Sequence, residues 1–144
     1  MNRHSRVLRH GALLALLLIV GMSTASAAVT LALRSSPEIP AAQGTVRLRD
    51  TRNGNVEIKL RVHHLAPPGR ISPGASVFVV WARGLAPGAE AQNLGALKVD
   101  KNLNGTFTAV TAMSSFDLFM TCEQSHTVTA PGTPELLPAN YVSK

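Results

Sequence analysis

Cys122 and His126 stand four residues apart in the stretch Thr121-Cys122-Glu123-Gln124-Ser125-His126. Cys122 is the chain's single cysteine. A thiolate, two imidazoles and a weak axial methionine on a small exported β-fold make a blue-copper centre. Cys122 and His126 would be its C-terminal ligand pair, with His63 or His64 as the upstream ligand. Against this chemistry, no methionine follows Cys122, and His63-His64 stands at the end of a strand-like run with no supporting motif. Successive side chains on a strand point to opposite faces, so at most one of His63 and His64 faces a core. The other is a solvated strand-end residue, or a surface metal or proton-sensing group.

Other chemistries find less. The chain has no Gly-x-Ser-x-Gly nucleophile elbow and no glycine-rich phosphate loop after a strand. Its acids are scattered rather than paired for acid–base work. No basic run interleaves with aromatics, which argues against nucleic acid as a partner. Asn104-Gly105-Thr106 matches a glycosylation sequon, a pattern short enough to recur by chance. Neither an enzyme nor a cofactor is expected.

The elements that must position these residues come after a leader. Arg3, Arg6 and Arg9 precede an apolar stretch from Gly11 to Met22, and Ala25-Ser26-Ala27 supplies a small-residue exit. Residues 1–27 therefore read as a secretory signal peptide, with an uncleaved anchor as the alternative. The apolar stretch is shorter than the ~20 residues that span a bilayer. Three of the 14 Lys and Arg residues and none of the 8 acids lie in the leader, so the formal charge drops from +6 to +3 without it. Residues 28–144 are enough for one domain with a core of its own, and a lone cysteine leaves its stability to packing.

That domain carries short β-branched runs between Gly, Pro and Asn clusters and no convincing helix, the signature of an all-β sandwich. Strands are expected near Val29–Leu33, Thr45–Arg49, Val56–Val62, Val77–Ala82, Asn93–Val99, Thr106–Val110, Phe116–Glu123 and Glu135–Tyr141. The proline-rich segments Ala66–Pro73 and Pro131–Pro138 belong to loops or edges, because proline cannot donate to a ladder.

One hairpin can be set in register. A two-residue Asn53-Gly54 turn would oppose Leu48 to Lys59, placing apolar against charged. A three-residue loop, Arg52-Asn53-Gly54, opposes Leu48 to Ile58 and Arg49 to Glu57, and asks for a left-handed residue where Gly54 stands. The run Val77-Phe78-Val79-Val80-Trp81 is apolar on both faces, as in a central strand, with Trp81 expected between two sheets. Phe116, Leu118, Met120 and Cys122 share one parity, so Cys122 is expected to close the inward face of a half-buried strand. Thr121 and Glu123 would then end its outward face.

The stretch from Ser76 to Val110, followed by Phe116 to Ala139, resembles the extracytoplasmic C-terminal domain of anti-sigma-K factors. The likeness lies in Val80-Trp81 ending a strand, the Leu94-Gly95 turn, Thr121-Cys122-Glu123 as a Thr-x-Glu strand end, and the apolar strand from Pro131 to Leu137. It covers about the last 70 residues. It implies an extracytoplasmic β-sandwich without catalytic residues, and it includes no sigma-binding half. The sequence thus predicts a single Ig-like or fibronectin-like sandwich of seven or eight antiparallel strands. Its expected role is a non-enzymatic periplasmic or secreted module that contacts a protein partner or serves a structural role. A copper protein using Cys122, His126 and His63 or His64 is the first alternative. A membrane-tethered accessory in envelope signalling is the second, should the leader be retained.

Overall fold

Alternating apolar and polar residues become strands because each strand can then bury one face against a second sheet. The computed structural model describes residues 27–143. The strands are β1 (Val29–Ala32), β2 (Gln43–Asp50), β3 (Val56–His63), β4 (Val77–Gly84), β5 (Ala91–Ala96), β6 (Lys98–Val99), β7 (Gly105–Thr111), β8 (Ser115–Glu123) and β9 (Leu136–Val142). A five-stranded sheet in the order β1-β2-β3-β7-β6 faces a four-stranded sheet in the order β5-β4-β8-β9, and every pairing is antiparallel. With β1 set aside, these orders are the A-B-E-D and C′-C-F-G sheets of an immunoglobulin-like sandwich. The leader expected over residues 1–27 lies, but for its last residue, outside the described residues.

The inter-sheet core follows the parities of the sequence. Val46, Leu48, Ile58, Leu60 and Val62 from one sheet meet Phe78, Val80, Phe116, Leu118 and Met120 from the other. The β2–β3 hairpin has the expected register, with Leu48 opposite Ile58 and Arg49 opposite Glu57. Its loop closes as argued: Thr51 N–H donates to the Asn55 carbonyl at 2.7 Å and Gly54 N–H to the Thr51 carbonyl at 3.1 Å. Gly54 sits at φ 77°, where a β-carbon is disfavoured.

Three expectations change. The run Asn93–Val99 is not one strand but two in different sheets, which brings the number of strands among the described residues to nine. Leu97, at the crossing, is buried, and its N–H donates to the Phe78 carbonyl at 2.9 Å. Anchored there by its side chain, the chain leaves β4 and joins β7. Leu94-Gly95 is a bulge rather than a turn: Trp81 pairs with Asn93 and Val80 with Gly95, which leaves Leu94 over. Within the proline-rich segment after β3, Pro68–Ile71 form a single helical turn, α1. Proline fits the first helical turn because its missing N–H has no partner there anyway.

The opposite side of the sandwich is closed by the segment after β1. Arg34 N–H donates to the Pro138 carbonyl at 3.2 Å, and Leu137 N–H donates to the Ser36 hydroxyl at 2.7 Å. Lower down, the Tyr141 hydroxyl donates to Asp50 at 3.0 Å.

Candidate functional site

The end of β8 carries the residues that the sequence singles out. Cys122 pairs across the ladder with Phe78 and joins the inter-sheet core, as its parity requires. It is buried, and burial pushes its thiol up to about 11, with the neighbouring Glu123 charge acting in the same direction. At neutral pH this sulfur is a protonated thiol, a poor nucleophile and a poor metal ligand.

His126 lies on the other side of the same sheet. Asn93, which pairs with Trp81 on the outer face of β5, donates its amide to the His126 carbonyl at 2.9 Å and to the Val128 carbonyl at 2.8 Å. Those bonds pin the β8–β9 loop over the outer face of the four-stranded sheet and leave the imidazole exposed. His63 and His64 are both exposed at the end of β3; His63 Nδ1 bonds to Asn104 Oδ1 at 3.0 Å, and His64 adopts φ 58°. Cys122 thus points inward while the three histidines lie at the surface. Among the described residues, no group of three or more His, Cys, Asp or Glu side chains is placed to hold a metal ion.

The Trp81 expectation is corrected here. Phe78, Val80 and Ala82 face the other sheet, so Trp81 points the opposite way and is fully buried with Val79 and Phe119 in a second, smaller core. The β8–β9 loop covers it through Val128. Arg83 lies over the Phe119 ring at 4.7 Å and grips Glu135 with two bonds of 2.7 and 3.0 Å. That carboxylate raises the guanidinium's affinity for its proton.

The smaller core also gives the Thr-x-Glu strand end a physical role. The Trp81 indole N–H donates to the Thr121 hydroxyl at 2.8 Å, and that hydroxyl donates to Glu123 at 2.5 Å. Glu123 accepts a further bond from Gly132 N–H at 2.7 Å. A β-carbon on Gly132 would lie 3.1 Å from the carboxylate, which suits glycine at that approach. Thr121 is fully buried rather than facing solvent. This chain of bonds ties β4, β8 and the loop together. Sequence parity placed Thr121 and Trp81 on one strand face each, but nothing local signalled that they share the covered face.

Two concavities among the described residues bear on function. One, of about 310 Å³, is lined by Cys122, Glu123, Gln124, Ser72, Val128 and Gly132 among others, and offers no ionised nucleophile or paired acids. The other is an open groove of about 510 Å³ beside β7, lined by Gly95, Ala96, Lys98, Thr106, Phe107 and Thr108. It exists because β6 pairs only with Gly105 and Thr106, so β7 from Phe107 to Thr111 has no strand on that side among the described residues. Fold and site together define an all-β, immunoglobulin-like sandwich. Comparison of the chain with family models returns no match, and comparison with curated proteins returns none either.

Proposed function

We propose that this chain is an exported, non-enzymatic sandwich module that contacts a protein partner or serves a structural role, in the manner of the outer domain of anti-sigma-K factors. The observation that carries this reading is the unpaired edge of β7 from Phe107 to Thr111, set beside an open groove. A free strand edge presents backbone donors and acceptors to which an extended peptide adds as a further strand. Val110 on that strand is 56 % exposed, which gives such a peptide an apolar contact. The pinned loops and buried thiol at the other candidate positions offer no comparable surface.

A photo-crosslinking residue placed at Thr108 or Val110 in exporting cells tests this. The expected result is a discrete protein adduct at those positions and none from a probe at Arg52 in the β2–β3 hairpin. Equal labelling at all three, or none at the edge, would remove the reading.

A further inference from the structure

The outer face of the five-stranded sheet carries a second surface, which meets the β7 edge at Thr108 and Val110. Strand register sets its residues in rows. Thr45, Arg61, Thr106 and Lys98 form one row across β2, β3, β7 and β6. Thr30, Arg47, Lys59 and Thr108 form the next, and Arg49, Glu57 and Val110 the third. Arg47, Arg49, Lys59, Arg61 and Lys98 are all exposed, and Glu57 is the single carboxylate in these rows. Glu57 is held by Lys59 at 3.2 Å and Arg49 at 3.0 Å, and the Lys59 bond above all keeps its carboxyl below the usual range. Among the described residues Arg47, Arg61 and Lys98 have no ion-pair partner.

The charge is polarised. The four-stranded sheet has the β8–β9 loop over its outer face, where Glu123 and Glu135 are engaged. Among the described residues no segment covers these rows of the five-stranded sheet, and a modest overall charge therefore conceals one strongly cationic face.

We propose that this face docks on an anionic phospholipid surface. Neighbouring strands lie about 4.8 Å apart and alternate residues roughly 7 Å apart along a strand, so the cations of β2, β3 and β6 spread in two dimensions. A plane of charges meets several partners at once only against another plane. A linear polyanion follows a stripe or channel, usually with aromatic side chains for stacking, and the rows contain no aromatic residue. The threonines between the cations supply hydroxyl donors at the same height, suited to phosphate oxygens.

The test is partitioning of the full chain onto vesicles of phosphatidylcholine with and without 30 % phosphatidylglycerol, at low and high salt. Two triple variants lose the same charge: R47T/K59T/R61T on the face, and R52T/R70T/K101T in exposed loops and turns. The leader is common to both and cancels. Each cation near an anionic surface contributes about fivefold in partitioning, so the face variant should lose on the order of a hundredfold. The loop variant should lose less than about tenfold, and wild-type binding should weaken as salt screens the charges. Far-ultraviolet circular dichroism confirms that both variants are folded before they are compared. Equal losses in the two variants would overturn the proposal, as would wild-type protein that does not prefer anionic vesicles. Binding to soluble polyphosphate without vesicle partitioning would also overturn it, since the occupant would then be a linear polyanion.

Discussion

Thr121 is the residue on which the covered face of the four-stranded sheet depends. Its hydroxyl accepts from the buried Trp81 indole and donates to the Glu123 carboxylate. A valine of similar shape leaves the indole N–H buried without a partner, at a cost of about 1–3 kcal/mol. In a Trp81→Phe background that donor is gone, so Thr121→Val should cost about 1 kcal/mol less than in wild type. Urea unfolding of the four proteins of this cycle measures the difference, and equal costs in both backgrounds would show that the bond contributes nothing. Cys122 gives a pH prediction at the same scale. Its folded value is raised to about 11 from an ordinary 9.0, so between those pH values the unfolded chain releases a proton that the folded chain keeps. Stability is therefore undiminished below about pH 9 and declines as pH rises toward 11. Tyr141, pushed up chiefly by burial, adds to the decline. Thermal unfolding from pH 8 to 11 should show a shallower decline for Cys122→Ala than for wild type.

At the scale of elements, the crossing from β5 to β6 is the least ordinary feature. Leu97 fills the corner where the chain changes sheets, and Gly105 opposite has no side chain because a β-carbon there would lie 2.5 Å from Leu97 Cδ2. Gly105→Ala should overpack this corner and cost about 1–3 kcal/mol. Leu97→Ala should cost about 2–5 kcal/mol by leaving a cavity. The two are coupled: with Leu97 shortened, the added methyl of Gly105→Ala has room, so the double variant should be more stable than the sum of the single losses implies. Denaturant midpoints of the three variants report this, and simple additivity would mean that the two residues do not share the corner.

At the scale of the whole molecule, the two sheet faces differ in kind. One is covered by its own loop and cross-linked by Asn93, Arg83 and Glu123, while the other is open among the described residues and cationic. Which surfaces reach a partner depends on what precedes β1. The Ala25-Ser26-Ala27 exit predicts export with cleavage near Ala28, within a residue of the first strand at Val29. Intact-mass measurement of the exported protein checks this. A mass corresponding to the uncleaved chain would instead make the domain a tethered one.

The sequence by itself determined which residues share a strand face, the register of the β2–β3 hairpin, and the inward place of Cys122. These are local quantities: a period of two, a glycine at a left-handed position, and the mismatch of apolar with charged residues across four or five positions. Tertiary structure decided which of two apolar faces of β4 turns toward the other sheet, and so sent Trp81 outward under the β8–β9 loop. It also split Asn93–Val99 between sheets and gathered Arg47, Lys59, Arg61 and Lys98 on one face from three strands. Each of these depends on pairing between segments distant in the chain, where the energy comes from burial against a partner that no local pattern names. The same reason separates Cys122 from His126. Four residues of sequence bring them close along the chain, but the sheet puts one in the core and the other over its far side.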